Sequence, residues 1–130
     1  MDCSWYTGSL KMIGKCDRFH RQMVLEEFSE RMRKRVSYDF DLDRKLDDGD
    51  GERPIFATRV CGGRYVLYWE LDKNKSTAYV LAFTKMNFTY FKSVRFLEDF
   101  IKFFEQTHSF SRACSKVADK NRGELIVNNW

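Results

Sequence analysis

The sequence predicts an α+β fold, a central antiparallel sheet flanked by two helices in a sandwich. Three observations predict it. Phe56 to Trp69 holds two runs of strand composition joined by Cys61-Gly62-Gly63. Two segments, starting at Asp17 and at Ser93, lack Gly and Pro and repeat apolar residues at helical spacing. The 130 residues include twelve Phe and one Pro, with 16% aromatics. That is enough to pack one core and too little for two ordinary ones, so a single domain spanning 1–130 is expected.

Taken in order, Ser4 to Met12 mixes Trp5, Tyr6, Leu10 and Met12 with small residues and reads as a short strand or extended arm entering the core. Asp17 can cap the first helix, on which Val24, Leu25, Phe28 and Met32 share one face while Phe19 and Met23 point elsewhere. Arg33, Lys34 and Arg35 place positive charge where the macrodipole favours it, which reads as a solvated helix end before it reads as a ligand site. Tyr38, Phe40 and Leu42 alternate with Asp39, Asp41 and Asp43, the pattern of a half-exposed strand. An acidic loop near 43–53 follows. Its Asp47, Asp48, Asp50 and Glu52 do not have the offsets of a calcium loop, so no metal site is expected there.

Tyr65, Leu67, Trp69 and Leu71 alternate with Arg64, Val66, Tyr68 and Glu70, which predicts a strand with one apolar face. In the preceding run Ile55, Ala57 and Arg59 share a face, so Arg59 sits where a core side chain belongs and needs an internal carboxylate or an anionic ligand. After a polar turn at Asp72 to Lys75, the segment Thr77 to Thr84 is expected to pair antiparallel with its predecessor. Lys85 to Asn87 reads as a turn and Phe88 to Phe91 as a small strand. Ser93 then caps a second helix carrying Leu97, Phe100, Ile101 and Phe104 on one face. His108 to Asn121 reads as a polar loop and Glu124 to Val127 as a last edge strand.

A formal net charge of +4 permits acidic partners without selecting one. The four cysteines, Cys3, Cys16, Cys61 and Cys114, form no C-x-x-C pair, which favours reduced thiols and an intracellular, cytoplasmic protein, with the nucleus also open. The amino terminus lacks the apolar run of a signal peptide, and no stretch approaches transmembrane length. His20 follows Cys16 by four residues, half of a zinc site with no second pair to complete it, so a buried thiol beside a packed imidazole is the simpler reading. Cys61 fits no phosphatase or protease loop, and no phosphate loop is present. A non-catalytic binding module without cofactor or metal is therefore expected. Arg59, Gly62 and Gly63 can form a phosphate pocket from a guanidinium and converging backbone amides; the alternative is an arginine paired to a carboxylate, with the glycines serving a tight hairpin.

Several short motifs resemble the Src homology 2 family. W-Y-T-G at Trp5 to Gly8 is similar to its opening W-Y-x-G, F-A-T-R at Phe56 to Arg59 to its F-L-V-R strand, and Y-V-L at Tyr65 to Leu67 to its next strand. T-A-Y at Thr77 to Tyr79 sits where members carry K-H-Y, and Phe91 to Ile101 resembles the segment entering the second helix. The resemblance implies a signalling module that recognises phosphotyrosine peptides, with Arg59 gripping the phosphate, Lys15 or Arg18 assisting, and Tyr79 shaping the pocket beyond the phosphotyrosine. Val60-Cys61-Gly62-Gly63 departs from the family by lacking a serine, and Ala78 replaces its strand histidine. The implied partner is a phosphorylated protein, with an unmodified protein as the alternative. An anionic membrane meeting Arg31, Arg33, Lys34 and Arg35 ranks next, and nucleic acid stacking on Tyr68 or Tyr90 ranks last.

Overall fold

The computed structural model describes residues 1–34, 43–47, 53–85 and 91–121. β1 (Asp2–Trp5) runs straight into α1 (Thr7–Ile13) and then α2 (Arg18–Lys34). Next come β2 (Asp43–Lys45), β3 (Ile55–Val60), β4 (Tyr65–Asp72) and β5 (Thr77–Lys85), followed by α3 (Val94–Thr107) and α4 (Phe110–Lys120). The sheet has the order β1-β5-β4-β3-β2. β2 to β5 pair antiparallel, whereas β1 lies parallel to β5, with Cys3 opposite Ala78 and Trp5 opposite Val80. The α+β class stands, but the all-antiparallel sheet with two helices becomes a mixed sheet with four helices among the described residues.

The physical reason lies in the first thirty residues. An expected arm over Ser4–Met12 divides after Trp5, because Ser9 donates to both the Tyr6 carbonyl (2.7 Å) and the Val80 carbonyl (2.9 Å). This pins the first turn of α1 over the middle of β5. α1 with α2 then carries the chain from β1 at one edge of the sheet to β2 at the other, and β5 returns to lie parallel beside β1 only after β2, β3 and β4. On α2 the expected face holds: Val24, Phe28 and Met32 are buried, and Phe28 packs edge-on against Trp5 and Trp69, each at 6.3 Å.

β4 is buried on both sides from Tyr65 to Trp69, not on one. Trp69 faces Phe28 of α2, and Tyr68 faces Phe91 at 6.0 Å, just ahead of α3. The β3–β4 turn runs through left-handed backbone at Cys61, Gly62 and Gly63. At Gly63 (φ +87°) an added Cβ would stand 2.3 Å from the Arg59 guanidinium, so only glycine fits.

Ser93 caps α3 as expected, its Oγ accepting the Phe96 N–H at 3.2 Å. The polar loop expected from His108 to Asn121 is instead α4. Ser109 caps it by accepting the Arg112 N–H, and Phe110, Ala113, Cys114 and Val117 form a buried stripe at helical spacing. Phe110 reaches Phe104 of α3 at 5.1 Å.

Asp43, expected on a solvent-facing side next to the acidic loop, is fully buried. It lies opposite Thr58 in the β2–β3 register. Asp47 bridges to the entry of α3, its N–H donating to the Lys92 carbonyl and its carbonyl accepting from Val94. The strand expected at Tyr38–Leu42, the rest of the acidic loop, the turn and strand at 86–90 and the strand at 124–127 lie outside the described residues.

Candidate functional site

Among the described residues, two polar clusters flank the start of β4. The first is the junction of α1 and α2. Lys15, Cys16 and Asp17 turn the chain between the helices, and Asp17 caps α2 by accepting the His20 N–H at 2.9 Å. That hydrogen bond, with the neighbouring imidazole, holds the Asp17 carboxyl below its usual range. The cap also orients the His20 ring: Nδ1 lies 3.1 Å from Asp17 Oδ2 and 2.9 Å from the Tyr65 hydroxyl. A carboxylate on Nδ1 favours the tautomer with its proton there, which leaves Nε2 as the basic nitrogen.

Tyr65 opens β4, and its ring stacks on Phe83 at 5.1 Å. Burial pushes its phenol up, and the nearby Cys16 and Asp17 add to the rise, so the hydroxyl keeps its proton at neutral pH. The neighbouring Cys16 thiol is itself pushed up by burial despite the opposing pull of Lys85. Lys85 stands opposite Tyr65 in the strand register. Lys85 and Arg21 both act on the Cys16 thiol, and Lys15 and Arg18 flank the same turn in sequence. The spacing of Cys16 and His20 was visible in the sequence, but Tyr65 reads there only as a core strand residue.

The second place is the β3–β4 turn, where Arg59, Gly62 and Gly63 come together as the sequence suggests. Gly63 packs on the Arg59 guanidinium. The Cys61 amide, one of the donors a phosphate would use, donates instead to Glu27 at 2.7 Å. Arg31 pairs with the same Glu27 at 3.4 Å and donates to the Arg59 carbonyl, so α2 clamps this turn. Lys15 and Arg18 belong to the first place, not to this turn. Tyr79 lies toward the other end of β5, stacked on Tyr6 at 5.9 Å with Arg53 over its ring. Tyr68 is fully buried with its hydroxyl accepting from the Phe91 N–H, which removes it as a base-stacking surface. Tyr90 lies outside the described residues. Among the described residues no group of three or more His, Cys, Asp or Glu is placed to hold a metal ion, and no helix is long and apolar enough to cross a membrane.

No protein-family model and no curated protein matches the chain. Among solved structures, the crystal structure of the archaeal RelE-RelB complex from Pyrococcus horikoshii OT3 contains a chain similar to this one. Its TM-score is 0.53 at 15% identity, over 65% of this chain and 92% of that chain. The isolated E. coli RelE toxin aligns with a TM-score of 0.48 at 13% identity, over 65% of this chain and 82% of that one. At this identity the first likeness is one of fold. It overturns the Src homology 2 resemblance and, with it, the phosphotyrosine-binding, signalling function that the motifs implied. In the structure W-Y-T-G turns from a strand parallel to β5 into α1, while F-A-T-R and Y-V-L lie on the antiparallel pair β3 and β4.

Proposed function

We propose that this chain is an RNA-cleaving enzyme of RelE-like fold that works with a protein partner. The observation that supports it is His20, held on Nδ1 by Asp17 and Tyr65, with Lys85 and Arg21 close to the neighbouring Cys16. RNA carries its own nucleophile, so cleavage needs a base, positive charge and little else. His20 Nε2 takes the 2′-hydroxyl proton, the O2′–P bond forms as the P–O5′ bond breaks, and the same proton passes from Nε2 to the departing 5′-oxygen. The products are a 2′,3′-cyclic phosphate and a 5′-hydroxyl, with no other reactant. Tyr65 and Asp17 orient the ring, while Lys85 and Arg21 face the phosphate. Lys15 and Arg18 keep the anion-contacting role expected of them, now toward the RNA backbone. This reading departs from the expectation of a non-catalytic module. The partner rests on the similar fold, which was crystallised in complex with RelB.

The test adds the purified chain to single-stranded RNA, both naked and in a translating cell extract, and maps the ends of the products. Wild type is expected to leave cyclic phosphates and to spare DNA of the same sequence. His20→Ala is expected to lose about 10²- to 10⁴-fold in rate, and Tyr65→Phe to lose less. Intact RNA in both settings, or full activity in His20→Ala, would overturn the proposal.

A further inference from the structure

Resting on the RNA reading, we infer that Phe19 is a stacking platform for a nucleobase of single-stranded RNA, seated beside His20. Phe19 is 69% exposed on the first turn of α2, a helix that buries Val24, Phe28 and Met32. A single exposed apolar side chain is ordinary; what marks Phe19 is its place beside the His20 ring. Its centroid lies 5.9 Å from the His20 ring, tilted by 48°. Met23, one helical turn on, is also exposed and extends the apolar strip.

Charge decides the occupant. Residues 15–21 carry three cations, Lys15, Arg18 and Arg21, against one carboxylate, Asp17, which is engaged as the helix cap. A protein-docking patch is a broad apolar area, whereas here the strip is one ring and one methionine, with cations at the neighbouring sequence positions. That combination fits an unpaired strand, whose backbone is drawn to the cations and whose bases stack on an aromatic face. A base on Phe19 sits one ring away from the imidazole, which brings its own ribose toward His20.

The test uses labelled 2′-O-methyl RNA oligomers, which cannot be cleaved, one fully based and one with a single abasic position moved along the strand. Wild type is expected to bind the based oligomer about 5- to 100-fold more tightly than the worst abasic one. Phe19→Ala should abolish the difference and Phe19→Trp should keep it, with circular dichroism confirming that both are folded. Lys15→Gln and Arg18→Gln should weaken all oligomers alike, each lowering the salt slope by about 0.7. Equal binding of based and abasic oligomers by wild type, or unchanged discrimination in Phe19→Ala, would overturn the platform and assign the ring to a protein contact. Because these oligomers cannot react, failure to cleave RNA would remove the proposed reaction and leave this result standing on its own.

Discussion

Among single residues, the strongest polar commitment in the core is a chain of hydrogen bonds running across β2, β3 and β4. Trp69 Nε1 donates to Thr58 Oγ1 at 2.7 Å, and Thr58 donates in turn to Asp43 at 2.6 Å. All three residues are buried, so each donor or acceptor forgoes water for its partner. Thr58→Val keeps the shape but strands the indole N–H and takes a donor from a buried carboxylate. It is expected to cost about 2–4 kcal/mol in urea unfolding, against less than about 1 for Thr58→Ser. A loss below about 1 kcal/mol in the valine variant would show that other groups satisfy both ends. The sequence could not reveal this chain. Period-two alternation gave Asp43 to solvent, and only the β2–β3 register, which sets it beside Thr58, turns it inward. Arg59 was more legible, since an arginine at a core position demands compensation wherever it lies. What could not be read is the close approach of Gly63 to its guanidinium.

At the level of elements, α3 was readable and α4 was not, for a common physical reason. In α3 the apolar residues are large and frequent, so their spacing stands out. In α4 Ser109, Ser111, Arg112, Ser115 and Lys116 dilute a stripe built partly from Ala113 and Cys114. What fixes α4 lies at its far end. Asp99 of α3 accepts from Lys120 at 2.7 Å and from Asn121 at 3.3 Å. Burial opposes the ionisation of Asp99, but the Lys120 and Asn121 hydrogen bonds, helped by the charges of Lys120 and Lys102, outweigh it and hold the carboxyl below its usual value. A carboxyl whose folded pKa is depressed contributes stability above its unfolded pKa and loses it as pH falls through the folded one. The contribution of Asp99 is therefore complete above about pH 4 and fades below it. Thermal unfolding from pH 3 to 7 should show Asp99→Asn less stable than wild type at pH 7, with the gap closing toward pH 3. A gap that stays constant across this range would mean that shape, not charge, holds α4 on α3.

For the whole molecule, strand positions were legible because side-chain alternation is local, while topology was not, because nothing in a period distinguishes a parallel from an antiparallel neighbour. Phe56–Arg59 and Tyr65–Leu67 were placed on adjacent antiparallel strands, and they are. W-Y-T-G was read as an opening motif, yet its role depends on the path taken after Trp5, where Ser9 folds the chain over β5. The same limit hid the site: His20 and Tyr65 are 45 residues apart and meet only because α2 returns across the start of β4. The parallel pairing of β1 with β5 can be tested covalently. Cys3 lies directly opposite Ala78, and adjacent strands hold paired Cα atoms within the span of a disulfide. In a background with Cys16, Cys61 and Cys114 changed to Ala, Ala78→Cys should cross-link to Cys3. Burial pushes the Cys3 thiol up, so a thiol oxidant at alkaline pH is the suitable condition. Peptide mapping should recover the 3–78 disulfide in most molecules, while Leu81→Cys, beyond the end of the paired register, should give little. Cross-linking at 81 in preference to 78 would place β1 in another register and separate this fold from the one it shares with the RelE-RelB chain.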